Sequence, residues 1–145
     1  MAKTYRVSAL TRFGNLMSTA LIKLGLGPAG MHLLTVRGRK SGRLRTTPVN
    51  LIEYASCRWL VAPYGEVGWV RNARAAGEVT LRRGRTVQRA HVREASPGEA
   101  APVLRSYLKQ LKLVVGPYFD VTPSDPEASF AAEAPWHPVF AVTGA

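Results

Sequence analysis

Between Arg37 and Arg45 the chain sets five cations, Arg37, Arg39, Lys40, Arg43 and Arg45, into nine residues with no carboxylate among them. Such a cluster repels itself, and an anion that neutralises it relieves the cost. Gly38-Arg39-Lys40-Ser41-Gly42-Arg43 also carries the other groups a phosphate uses: guanidinium forks, an ammonium, a hydroxyl and glycines that let backbone amides come close. Arg45, Thr46 and Thr47 extend the set along the chain. The spacing is not the GxxxxGK[ST] of a P-loop. A solvated hairpin tip, made basic to protect a sheet edge, is the competing explanation. The absence of any acid in the run favours the anion.

Other constellations carry less. Gly25-Leu26-Gly27-Pro28-Ala29-Gly30 spells GxGxxG. That fingerprint works only where a strand leads in and a helix leads out. Here the order is reversed, so the glycines fit a helix stop and a loop. Arg82, Arg83, Arg85, Arg89 and Arg93 form a second basic set with no glycine cradle beyond Gly84, which suits a solvated face. His32, His91 and His137 lie far apart, none in a spaced ligand pair, and no GxSxG elbow occurs. The residues thus point to no metal and no hydrolytic nucleophile. Cys57 is the single cysteine, which excludes an intrachain disulfide and fits a reducing, cytoplasmic setting.

The elements that must position the basic turn follow from periodicity. Ser8 to Gly25 places Leu10, Phe13, Leu16, Met17, Ala20, Leu21 and Leu24 on one helical face. Strands are expected at Met31 to Val36 and Thr46 to Tyr54, joined by the basic turn as a hairpin, and a third at Arg58 to Ala62 before Pro63-Tyr64-Gly65. Gly68 to Ala76 has helix formers closed by Gly77. Two more strands, Glu78 to Arg83 and Thr86 to Glu94, turn at Gly84. Ser96-Pro97-Gly98-Glu99 has the composition of a capping box with proline at the first helical position, opening a helix to about Leu111. A short helix within Pro123 to Ala134 and a strand at His137 to Thr143 complete an α+β chain with a mainly antiparallel sheet or barrel.

At 145 residues the chain is expected to be one domain, 1–145, with residues 1–30 as helix and loop. Leu16 to Leu26 is too short and too interrupted for a membrane span, and the N-terminus has no signal-peptide pattern. Of the net charge of +11, the first 52 residues hold +9, because no acid precedes Glu53. Nucleic acid, an anionic membrane surface and a polyanionic small molecule all answer such a field, and charge alone does not choose among them. No recognition-helix or aromatic strand motif of a nucleic-acid binder is present, so nucleic acid is not the expected partner.

Four motifs in order, Leu33-Leu-Thr-Val-Arg-Gly-Arg-Lys-Ser-Gly-Arg-Leu-Arg-Thr-Thr-Pro48, Val61-Ala-Pro-Tyr-Gly65, Gly68-Trp-Val-Arg-Asn-Ala-Arg74 and His137-Pro-Val-Phe140, give the chain a similarity to the deazaflavin-dependent nitroreductase family. The similarity extends from about Met31 to Val142. It implies a split β-barrel related to flavin-mononucleotide-binding oxidoreductases, about six strands with an N-terminal helix and peripheral helices. The cofactor implied is coenzyme F420, an 8-hydroxy-5-deazaflavin with a phosphate, a lactyl group and a glutamate tail; flavin mononucleotide is the lesser alternative.

By motif position, Arg39, Lys40, Ser41, Arg45, Thr46 and Thr47 would hold the phosphate and tail, with Pro48 fixing the strand beside them. Ala62, Pro63, Tyr64 and Gly65 would line the ring, and Trp69, Val70, Arg71 and Asn72 would close the site. Trp69 fits a core aromatic equally well, and Trp136 does so better. The implied activity is hydride transfer from reduced deazaflavin to a small apolar acceptor, a quinone or nitroaromatic, with no catalytic acid or base required of the protein. Phe13 and Met17, with Tyr107, Tyr118 and Phe119, are the candidate lining of the acceptor pocket. A carrier that binds the cofactor without turnover shares the same features. The expected assembly is a monomer or homodimer, cytoplasmic, with weak attachment to anionic membrane left open.

Overall fold

The computed structural model describes residues 22–25, 30–115 and 119–144, and the side chains within 111–115 are excluded. The expected N-terminal helix up to residue 21, with Phe13 and Met17, and also Tyr118, lie outside the described residues. Six strands close into an antiparallel barrel: β1 (Met31–Arg37), β2 (Leu44–Tyr54), β3 (Cys57–Val61), β4 (Glu78–Arg83), β5 (Thr86–Glu94) and β6 (Val139–Gly144), in the spatial order β1-β2-β3-β6-β5-β4. Helix α1 (Gly68–Ala76) lies between β3 and β4, and α2 (Pro97–Val115) and α3 (Glu127–Glu133) lie between β5 and β6. This is the α+β split-barrel class expected from the sequence.

Alternation along the strands produces two cores. Leu34 and Val36 of β1, Val49 and Leu51 of β2, Leu60 of β3 and Phe140 and Val142 of β6 fill the barrel, and Val70 and Ala73 of α1 join the same cluster. The opposite faces of β2, β3 and β6 present Ile52, Trp59, Val61 and Val139 to α2 and α3, where Leu104, Tyr107, Leu108 and Phe130 complete a second core. Each strand of this β2–β3–β6 sector is therefore buried on both sides, which is why Trp-Leu-Val-Ala (59 to 62) reads as an unbroken apolar run.

Local signals account for the element ends. Ser96 and Glu99 form the capping box: the Glu99 amide donates to Ser96 Oγ at 3.3 Å, and the Ser96 amide donates to Glu99 Oε1 at 3.1 Å. Helix α2 runs to Val115, past the Leu111 end expected from sequence. β2 begins at Leu44, two residues before the expected Thr46, because pairing with β1 extends to Arg37↔Leu44. The β2–β3 hairpin turns through Ala55 and Ser56, both at positive φ (53° and 63°), a twist the flanking strands favour even without glycine.

The GxGxxG look-alike is structural at its first glycine. Gly25 (φ 75°) ends its segment with its amide donating to the Ile22 carbonyl at 2.9 Å, and it lies so close to the β4–β5 turn that a Cβ on Gly84 would meet its Cα at 3.2 Å. A strand, β1, follows it.

Candidate active site

The barrel is split at one place. The β2–β3 ladder runs from Tyr54↔Cys57 only to Leu51↔Leu60, while β2 continues back to Leu44 paired with β1 alone. Among the described residues the second edge of 44–50 therefore has no ladder. Continuing the register would set the Val49 region against Ala62 and Pro48 against Pro63, and neither proline has an amide to donate. Instead the chain turns away at 62–65. The chain then leads into α1, which the Arg39–Asn72 bonds hold against the basic turn.

The basic turn is built from its own backbone. The Gly38 amide donates to Arg43 O at 2.7 Å, the Gly42 amide to Gly38 O at 2.9 Å, and the Arg43 amide to Ser41 Oγ at 3.1 Å. Arg37 Nη1 donates to Gly42 O at 2.7 Å. The Arg39 amide and its Nη1 both donate to Asn72 Oδ1, at 3.1 and 2.9 Å. These bonds consume the amides the sequence offered for a phosphate at Gly38, Arg39, Gly42 and Arg43. What remains for an anion is side-chain chemistry. Lys40, Arg43 and Arg45 are exposed and form no ion pair among the described residues.

Strand geometry divides the residues that follow. Directly opposed residues share a face, so Arg45 and Thr47, opposite Val36 and Leu34, lie on the face that fills the barrel. Thr46 and Pro48 lie on the other face, where Thr46 Oγ1 and Thr35 Oγ1 are hydrogen-bonded at 2.8 Å. The two faces meet at the open edge, and only backbone atoms are common to both.

The turn 62–65 rests on the chain segment that leads into β6. The Ala62 amide donates to Pro138 O at 2.9 Å, and His137 Nδ1 lies 2.8 Å from Pro63 O. Gly65 sits at φ 87°, where a side chain is strained, and a Cβ there would come within 3.4 Å of the Trp136 carbonyl. Ala62 is buried; Pro63, Tyr64 and Gly65 are half-buried.

Helix α1 has Val67 at its N-cap position, without a side-chain cap and without an acid in its first turn; Glu66 immediately precedes it. Val70 is in the barrel core and Asn72 is buried against the basic turn. Trp69 is half-buried and leans on Phe140, ring centroids 5.9 Å apart at 49°. Arg71 is exposed, and its charge helps hold the Glu66 carboxyl below its usual range, after the larger effect of Arg74. Arg74 donates to Glu94 Oε1 at 2.7 Å and to Glu66 Oε2 at 3.0 Å, which pins the loop before α1 to β5.

The candidate acceptor-pocket residues fall differently. Tyr107 and Phe119 are buried in the helix-layer core, rings 6.5 Å apart. Burial first, and then the neighbouring Tyr64, push the Tyr107 hydroxyl upward, so it stays protonated at working pH. That neighbour links this core to the 62–65 turn. Trp136, expected among the core aromatics, is 69% exposed, because the 3-10 turn Ala134–Trp136 buries Ala134 and leaves the indole outside.

The second basic set is mostly paired. Arg89 bonds Glu78, Arg93 bonds Glu99, Arg82 donates to Gly84 O and Arg83 to Met31 O. It makes the solvated face anticipated from its composition. His137, set aside on the sequence, and Glu133, not singled out there, are buried and 2.9 Å apart. Their i, i+4 spacing across the end of α3 was the available signal.

Several solved structures share this split-barrel fold. A putative pyridoxamine 5'-phosphate oxidase from Listeria innocua superposes with a TM-score of 0.53 at 10% identity, covering 79% of this chain and 83% of that one. A structure described as an F420-H2 dependent reductase (FDR-A) gives 0.51 at 22% identity, covering 79% and 94%. A NimC/NimA family protein from Clostridium acetobutylicum gives 0.51 at 13%, covering 90% and 82%. These likenesses define the fold class. No curated protein matches the chain in sequence.

The sequence signature described as F420H(2)-dependent quinone reductase matches residues 15–120. The chain belongs to that family. It is an oxidoreductase, and its cofactor is coenzyme F420.

Proposed function

We propose that this chain transfers hydride from reduced coenzyme F420 to a small apolar acceptor, a quinone or a nitroaromatic, at the open edge of β2. The observation that carries the proposal is the acid-free basic turn, tied by Asn72 to α1 and leaving Lys40, Arg43 and Arg45 without ion-pair partners among the described residues. A phosphate with a glutamate tail fits that donor set, because the charges available are on long side chains rather than on a closed ring of amides. The bound deazaflavin supplies the hydride from its ring carbon.

The protein's part is binding, orientation and exclusion of water. Lys40, Ser41, Arg45 and Thr47 hold the anionic tail, and Arg39 holds the turn to Asn72 while keeping further guanidinium donors for the ligand. The turn Ala62-Pro63-Tyr64-Gly65 lines the ring, with Trp69, Val70 and Arg71 bounding it from α1. Thr46 and Pro48 shape the β2 edge. Tyr107 and Phe119 support the acceptor side from behind, with Phe13, Met17 and Tyr118 assigned to the acceptor side itself. We take the chain to act as one domain with a small-molecule partner and without nucleic acid, as a monomer or homodimer. No helix among the described residues is long and apolar enough to cross a membrane.

The test is oxidation of reduced coenzyme F420 by menadione and by a nitroaromatic, followed through the cofactor's absorbance with and without protein. Turnover that requires the protein supports the proposal. Saturable binding of the cofactor with no protein-dependent turnover by any acceptor makes the protein a carrier instead.

A further inference from the structure

Three successive contacts join the 62–65 turn to residues 136–138: the Ala62 amide to Pro138 O, His137 to Pro63 O, and Gly65 against the Trp136 carbonyl. The middle contact is the one that reaches further. His137 is 2% exposed. Its Nδ1 faces Pro63 O at 2.8 Å, its Nε2 faces Glu133 Oε1 at 2.9 Å, and its ring stacks on Phe119 at 3.8 Å and 8°. Glu133 Oε1 also accepts the Asp120 amide at 2.9 Å.

The proton count follows from these partners. A peptide carbonyl has no proton to give, so Nδ1–H donates to Pro63 O. One proton then lies between Nε2 and Oε1, whichever atom carries it. Both ring nitrogens and the shared carboxylate oxygen are thus engaged, in a site closed to water. Such fully satisfied buried networks hold one geometry.

We propose that His137, oriented by Glu133, is a positioning residue for hydride transfer: through the Pro63 carbonyl it sets the placement of the 62–65 turn beneath the cofactor ring. Through Glu133 and the Phe119 ring it ties that turn to the 119–120 segment. The ring-bearing turn and the acceptor-side segment therefore share one anchor, which lies 74 residues beyond Pro63 in the sequence. This rests on the placing of the turn beside the deazaflavin ring under Proposed function.

Two variants separate the arms of the imidazole. The amide nitrogen of His137→Asn reaches the place of Nδ1, and that of His137→Gln reaches the place of Nε2. Hydrogen exchange of the Gly65 and Val67 amides in the cofactor-free protein reads the turn directly. The Gln variant is expected to exchange there about tenfold faster, the loss of one buried hydrogen bond, and the Asn variant to recover most of the protection.

In the loaded enzyme the Gln variant is expected to lose about 10- to 100-fold in kcat, the effect of a misplaced ring, with affinity for oxidised coenzyme F420 changed less than about threefold. Equal exchange and equal rates in the two variants, whether fast or like the unaltered protein, would mean that His137 only fills space, and would overturn the proposal. If the Gln variant does not fold, histidine nitrogen shifts of the unaltered protein decide: a protonated Nδ1 supports the anchor, an unprotonated one overturns it. Failure of the unaltered protein to consume reduced cofactor would remove the function proposed above and the role in hydride transfer with it, while the exchange pattern still reports the anchor.

Discussion

At the scale of single residues, the basic turn separates into groups proposed to bind the cofactor and groups that hold the turn in place. Lys40 and Arg45 carry exposed charge, whereas Asn72 carries none and receives both Arg39 donors. Lys40→Ala is expected to weaken cofactor binding by about 1–2 kcal/mol and to flatten its salt dependence, because one screened charge pair is gone. Asn72→Ala is expected to weaken binding by a similar amount while leaving the salt slope unchanged, since the turn is loosened but no charge is lost. Calorimetric titrations at several salt concentrations distinguish the two. The cations themselves were legible in the sequence, because five of them in nine residues without an acid is a signal in itself. Asn72 as a tether was not, for its partner lies 33 residues away and only the closure of α1 on the β1–β2 hairpin brings them together. His137 was passed over for a related reason: one isolated histidine says nothing until Pro63 and Glu133 are seen on its two nitrogens.

At the scale of elements, the hairpins, α1 and the start of α2 could be read from composition, because each is fixed by nearby residues. The Ser96–Glu99 box is the clearest case. Arg93, with Nη1 2.9 Å from Glu99 Oε1, and the Ser96 amide lower the Glu99 carboxyl from the ordinary 4.5 to about 2. A depressed carboxyl stabilises the fold above its unfolded pKa and ceases to do so as pH falls through its folded one. Glu99→Gln is therefore expected to lower the melting temperature at pH 7, and the difference from the unaltered protein should shrink from about pH 4 downward and be nearly gone near pH 2. A difference that stays constant to pH 2 would contradict the ionised capping box. The split between β2 and β3 was not legible, since Thr46 to Tyr54 looks like continuous strand; what ends the ladder at Leu51↔Leu60 is a property of two strands together. Trp136 likewise has the composition of a core residue and is placed outside by the 3-10 turn that carries it.

At the scale of the whole molecule, the barrel brings together regions remote in sequence: the basic turn meets α1 through Arg39 and Asn72, and the turn after β3 rests on the segment before β6. The five cations between Arg37 and Arg45, with no acid among them, give the basic turn one sign of charge, which favours an anionic ligand. The family's cofactor is an anion, and Lys40, Arg43 and Arg45 are exposed without ion pairs among the described residues. The central claim is that these cations hold the deazaflavin's phosphate and acidic tail. The most direct test is a calorimetric titration with oxidised coenzyme F420, run beside flavin mononucleotide, on the unaltered protein and on the Lys40→Ala/Arg45→Ala double variant at physiological salt. The deazaflavin is expected to bind saturably and flavin mononucleotide more weakly, with a loss of at least about tenfold in deazaflavin affinity in the double variant, as for two charge-assisted contacts. Equal affinity of the two proteins for coenzyme F420 would contradict that claim.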